Sequence, residues 1–229
     1  MSEEEEEDKV KNIVFIAPPA AGKGTQSKMI CNAYHVPHIS TGDLLREAVS
    51  SGTKTGNYIK LQMTLGNLID DDTVLVLLKE RLSKDDCKNG YVLDGYPRNL
   101  EQAKAYEKLL SESGKQVEHV IVLDLDYDIA KMRITGRSSC PRCGHVYNDK
   151  IEELKPTKNG ICDYCRSKLI RRKDDNEETF KTRYDTYLKE TEPLISYYED
   201  KGILSHLDSN RDAYLIFADI KNILGAPTL

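Results

Sequence analysis

Residues 17–26, APPAAGKGTQ, set a lysine and a threonine in a turn of small residues. Where such a turn joins a strand to a helix, its backbone N–H groups and the positive helix end cradle phosphate oxygens. Lys23 would carry a mobile point charge to the outer phosphates, and Thr25 a hydroxyl to a magnesium ion. The literal pattern G-x-x-x-x-G-K-[ST] is not met, because Ala17 stands at its first glycine and Gly24 separates Lys23 from Thr25. Taken alone, these residues would equally suit a turn that merely starts a helix.

A second stretch, YVLDGYPRNLEQ at 91–102, reads as a strand ending in Asp94, where a doubly wound sheet places its ligands. The carboxylate there can hold magnesium through water. Gly95 and Pro97 shape a tight turn, from which Arg98 emerges as a bidentate phosphate partner. A third stretch, ISTGDLLR at 39–46, offers Ser40 or Thr41 as a helix cap and Arg46 one turn inside. Arg133, Arg137, Arg172 and Arg183 add further cations, which singly would also suit a solvated face.

Cys140 and Cys143, then Cys162 and Cys165, form C-x2-C, eighteen intervening residues and a second C-x2-C. That is the spacing of a structural zinc site. Four thiolates enclose the ion and leave no open position, so zinc would staple the segment and stay out of the chemistry. Two disulfides are the alternative, disfavoured in a chain without a secretion signal. Cys31 and Cys87 have no such spacing and read as buried thiols, and the five histidines form no ligand set.

These groups need a scaffold. Residues 12–17 (NIVFIA) are a short β-branched run of the kind buried on both faces of a parallel sheet. Further strands are expected at 36–40, 91–94, 119–124 and 202–207, alternating with helical patterns at 22–34, 99–112, 126–136, 176–200 and 211–224. The alternation predicts an α/β fold, a doubly wound parallel five-stranded sheet flanked by helices. Two stretches break the rhythm: 41–83 is helical without a strand, and 138–172 is polar, cysteine-bearing and turn-rich. Residues 137–175 hold ten Lys+Arg against six Asp+Glu, which favours an anionic ligand there. The division expected is a core of 10–40, 70–137 and 173–229, a helical insertion at 41–69 and a zinc-stapled insertion at 138–172.

The 229 residues are 39% hydrophobic with six cysteines, which excludes collagen-like, disordered and disulfide-scaffold classes. No apolar run approaches the ~20 residues that span a bilayer, and the N-terminus opens on a glutamate run instead of a signal peptide. A cytoplasmic protein without membrane partners is expected. Residues 1–9 read as a disordered acidic tail. Setting aside Met1 to Lys11, with six acids and two bases, reduces the net charge of −5 to −1. A nearly neutral body with 7% aromatics argues against a nucleic-acid partner.

The order and spacing of these elements from about residue 12 to 225 resemble the adenylate kinases, above all in the signature D-G-[FY]-P-R with Gln four residues after the Arg. The resemblance implies a P-loop fold, with an NMP-binding insertion at 41–69 and a lid at 138–172. It implies transfer of the ATP γ-phosphoryl to AMP with magnesium, giving two ADP, in a monomer. By matching positions it puts Thr41, Arg46, Ile69, Gly95, Arg98, Gln102, Arg172 and Arg183 on AMP. Ala20, Ala21, Gly22, Lys23, Gly24, Thr25, Arg133 and Arg137 fall on ATP, and Lys23, Asp94, Arg98, Arg137, Arg172 and Arg183 on the transfer itself. Asp174 and Asp175 match the acids of the lid hinge. Long-lidded members often carry zinc, some with Asp as fourth ligand; all four ligands here are Cys.

The chain departs from the usual G-x-P-G-x-G-K-G-T loop, with Ala17 and Ala20 in place of glycines. An alanine held at positive φ costs of order 1–2 kcal/mol, and a methyl aimed at a phosphate would cost affinity. Ser138 and Asn67 stand where an Arg and a Lys are usual. Two further readings follow: a nucleotide-binding protein of this fold with impaired turnover, and a nucleoside monophosphate kinase with another acceptor.

Overall fold

The computed structural model describes residues 11–225; the acidic tail expected at 1–9 lies outside them. The strands are β1 (Lys11–Ile16), β2 (His38–Ser40), β3 (Gly90–Asp94), β4 (His119–Asp124), β5 (Arg137–Ser139), β6 (Val146–Asn148) and β7 (Leu204–Asp208). Five of them build one parallel sheet in the order β2-β3-β1-β4-β7, and β5 pairs antiparallel with β6 in a separate hairpin. The helices are α1 (Lys23–Tyr34), α2 (Thr41–Ser50), α3 (Lys54–Leu65), α4 (Asp71–Leu82), α5 (Leu100–Ser111), α6 (Tyr127–Gly136), α7 (Glu177–Thr186), α8 (Pro193–Glu199) and α9 (Ala213–Leu224). The doubly wound five-stranded sheet is therefore as the alternation predicts.

Ile13, Val14, Phe15 and Ile16 of β1 are all buried, because helices cover both faces of the sheet. Their period-two alternation divides the core. Val14 and Ile16 pack with Leu93, Val120 and Val122 under α2, α4, α5 and α8, while Ile13 and Phe15 pack with Val92, Ile121 and Leu123 under α1, α6 and α9. Among the described residues no helix is long and apolar enough to cross a membrane.

The helical pattern expected at 176–200 is present with one irregularity: α7 passes at Thr186 into a π-helical turn over Tyr187–Thr191, and α8 follows from Pro193. Proline has no N–H to donate and its ring crowds the carbonyl four residues back. The backbone widens instead, with Glu192 N donating to Tyr187 O at 2.8 Å.

Candidate active site

The sheet register brings the separated stretches to one edge. Asp94 pairs with Phe15 on one side and with Ser40 on the other, so the ends of β1, β2 and β3 lie together at the carboxyl edge of the sheet. The turn after β1 starts there. Gly22, at φ 89, precedes α1 without a side-chain cap, leaving the first amides of that helix open to a ligand. Of the two replaced glycines only Ala20 has positive φ, at 66°; Ala17 does not share the strain.

Lys23 keeps some contact with solvent but is closely surrounded by protein atoms in the cleft at this sheet edge, its ammonium 3.2 Å from the Ala17 carbonyl and 3.4 Å from that of Pro18. Burial lowers its pKa to about 8; Asp94 opposes the shift, and Arg98, Arg183 and Arg137 reinforce it. Asp94 is shifted the other way. Burial raises its pKa, but His38, Lys23 and Arg98 outweigh burial and hold it below the usual carboxylate range. His38 Nε2 lies 3.4 Å from Asp94 Oδ2 without an aligned hydrogen bond.

Ser40 caps α2 by accepting from Asp43 N at 3.3 Å. That leaves the buried Thr41 hydroxyl to donate to the Gly95 carbonyl at 2.8 Å. Gly95 has φ 85, and a Cβ there would meet Thr41 Oγ1 at 2.8 Å and Arg98 Nη2 at 3.2 Å, so only glycine fits this turn. Arg98 is held at four points: Nε donates to Gly95 O at 2.8 Å, its amide donates to Gln102 Oε1 at 2.7 Å, its carbonyl accepts from Thr191 Oγ1 at 2.8 Å, and Asp94 faces its charge. The widened turn before Pro193 thus presents Thr191 to the site.

The other arginines converge on the same cleft. Arg137 grips Asp175 through two nitrogens, and Arg183 Nη1 donates to Asp174 at 3.2 Å. Burial lowers the Arg183 pKa to about 10, opposed by Asp174 and aided by Arg98 and Arg137, and the group remains charged at neutral pH. Arg172, although its side chain reaches solvent, is crowded by enough protein atoms to lower its pKa, and the neighbouring Arg137 and Arg46 add to the shift. Arg46 is paired within its own helix, Nε to Asp43 Oδ1 at 3.1 Å. Lys23, Arg46, Arg98, Arg137, Arg172 and Arg183 outnumber Asp43, Asp94, Asp174 and Asp175, so the cleft is built for polyanions.

Three expected residues stand differently. Arg133 on α6 is shifted by burial alone and has no charged partner among the described residues, Thr25 is exposed on the first turn of α1, and Ile69 packs in the core. Gln102 is 2% exposed and uses both ends of its amide, Nε2 donating to Asp71 at 2.6 Å. Sequence reasoning passed over His38, Asp43, Asp71 and Thr191. Their single signal is position beside a strand end or a helix start.

The four cysteines after β5 also come together, their sulfurs all within 4.8 Å of one another. Cys140 and Cys165 lie 3.2 Å apart and Cys143 and Cys162 3.5 Å, too far for disulfides. A tetrahedral zinc with Zn–S bonds of about 2.3 Å spaces its sulfurs by about 3.8 Å, so the set fits one ion. The two knuckles match in backbone: Gly144 N donates to Cys140 O and Arg166 N to Cys162 O, both at 2.9 Å, with φ 68 and 61.

Sheet, phosphate turn and cationic cleft define a P-loop-type phosphotransferase acting on nucleotides. Residues 15–203 match the family model described as adenylate kinase. Relatives named adenylate kinase include those of Geobacillus sp. (strain WCH70), 44% identical over 93% of this chain and 98% of the relative, and Clostridium tetani, 41% identical over 94% and 99%. That of Fervidobacterium nodosum is 42% identical over 93% and 97%. The chain belongs to the adenylate kinase family.

Proposed function

We propose that the cleft transfers the ATP γ-phosphoryl directly to AMP, in line and reversibly, giving two ADP. The observation that carries this is the convergence of Lys23, Arg98, Arg137, Arg172 and Arg183 around one sheet edge beside Asp94. The AMP phosphate is already a nucleophile, so positioning and charge stabilisation suffice and no covalent intermediate is needed.

In this reading the phosphate turn from Ala20 to Thr25 holds ATP, with Arg133 beside its adenine and Arg137 on its phosphates. Thr41, Arg46, Ile69, Gly95, Arg98 and Gln102 receive AMP. Arg172 and Arg183 bridge the transferring group. Asp94, ionised, and the Thr25 hydroxyl offer the oxygen donors that magnesium takes, and the ion would neutralise charge on the β- and γ-phosphates. The four cysteines would hold zinc as a staple of 138–172. That segment and the 41–69 insertion act as lids that exclude water, a competing acceptor, with Asp174 and Asp175 at the hinge. The protein acts as a monomer in the cytoplasm.

The test is ADP formation from ATP and magnesium with AMP, GMP, CMP, UMP or water as sole acceptor. Turnover confined to AMP is expected. Preference for another nucleotide would reassign the acceptor site, and bound ATP without turnover would mean that the altered phosphate turn has disarmed the chemistry.

A further inference from the structure

The turn between β7 and α9 touches the phosphate turn through a buried hydroxyl. Ser209, 2% exposed, donates from Oγ to the carbonyl of Ala21 at 2.5 Å. Its own backbone is anchored: Ser209 N donates to Asp124 O at the end of β4 at 2.7 Å, and Gln26 Nε2 on α1 donates to Ala213 O at 2.9 Å. We propose that Ser209 is a positioning residue for ATP, holding the Ala21–Gly22 peptide so that the Gly22 N–H faces the phosphates. This rests on the reading that the turn before α1 holds the ATP phosphates.

The argument is geometric. In a planar trans peptide the C=O and the N–H point in opposite directions. With the Ala21 carbonyl drawn onto Ser209, the Gly22 N–H must point away from the β7–α9 turn. Among the described residues the amides of Gly22, Lys23 and Gly24 have no acceptor within the protein; the first inward bond of the helix is Thr25 N to Gly22 O at 2.9 Å. Three open amides in succession form an anion-binding concavity whose shape depends on that peptide's orientation.

This chain has particular need of a tether. Ala20 holds φ 66, a conformation its Cβ disfavours, so the free turn is biased toward other conformers. Of the further restraints on the turn, the Ala21 N to Pro18 O bond is long at 3.4 Å, and the contacts of Lys23 Nζ with the Ala17 and Pro18 carbonyls involve a flexible group that would leave to meet a phosphate. The Ser209 hydroxyl bonds the carbonyl side of the peptide, opposite the open amides, and so need not leave when a phosphate binds.

The experiment compares the full-length wild type with Ser209→Ala and Ser209→Gly, measuring dissociation constants for magnesium-ATP and for AMP by calorimetry. Loss of one buried hydrogen bond is expected to weaken ATP by about five- to tenfold while AMP stays within about twofold, since the residues that receive it lie on α2, just before α4, in the turn after β3 and on α5. In the Ser209→Ala background, Ala20→Gly is expected to recover about threefold or more, because glycine enters positive φ without strain. Unchanged ATP affinity, equal loss for both nucleotides, or no recovery by Ala20→Gly would overturn the assignment. Should the variants fail to fold, the wild type decides: the Gly22 amide proton is expected to move downfield in NMR spectra on adding magnesium-ATP, and an unmoved signal overturns it. A wild type that binds no ATP at all would instead defeat the reading of the turn.

Discussion

Arg137 and Asp175 form a two-pronged pair where β5 leaves the core and the chain returns to it, Nε to Oδ2 at 2.7 Å and Nη2 to Oδ1 at 2.5 Å, with the Asp175 side chain 1% exposed. Arg172, three residues before Asp175, is exposed and makes no ion pair among the described residues. The two arginines should therefore respond differently to loss of an interaction. Asp175→Ala leaves a charge without its partner and should cost about 3–5 kcal/mol of stability. Arg172→Ala should leave the denaturation midpoint nearly unchanged while lowering kcat about 10²- to 10³-fold, as for loss of a donor to developing charge. Urea melts and initial rates on both variants check this.

Lys23 gives a pH signature. Its pKa of about 8, against an ordinary 10.5, means that between those values the unfolded chain keeps a proton the folded chain gives up, so this group's contribution to stability rises with pH across that window. Its charge toward phosphate is lost over the same range. The value of kcat/KM for ATP should fall above about pH 8, and Lys23→Arg should flatten that limb. A wild-type profile level to pH 9.5 would contradict the assignment.

Gly95 tests the acceptor side. Gly95→Ala combines strain at φ 85 with a Cβ 2.8 Å from the Thr41 hydroxyl, which must then release the Gly95 carbonyl. KM for AMP should rise about tenfold or more, roughly 1.4 kcal/mol or above, with KM for ATP changed far less. Steady-state kinetics with each nucleotide varied in turn separates the two.

Metal removal should act on 138–172 alone. Its buried apolar set is only Cys140, Tyr147, Cys162 and Leu169, with Cys165 beside them, too little to hold a fold without the ion. Chelation should release one zinc per chain, add a low-temperature melting step and cut turnover, while AMP binding persists. A single unchanged melt after chelation would exclude a structural metal.

The sheet and the ligand-bearing stretches were legible because their signals are local. β1 is a run of apolar residues, 91–102 carries strand, turn and arginine in one segment, and the cysteine spacing states its own geometry. What escaped depends on pairing across the fold. The approach of His38 to Asp94 follows from the β2–β3 register, and Gln102's contact with Asp71 spans 31 positions. Thr191 reaches Arg98 because Pro193 forces a π turn, a consequence readable from the proline only once α7 is known to point at the site. The concern over Ala20 was sound in conformation, while Ala17 lies at no positive φ.

Direct transfer across the cleft is tested most simply by its stereochemistry. ATP made chiral at the γ-phosphorus with oxygen isotopes and sulfur is turned over with AMP, and the configuration of the product ADP is read. One in-line displacement predicts inversion at phosphorus. Retention would require two displacements through a phosphorylated side chain, and would contradict a site that works by charge and position alone.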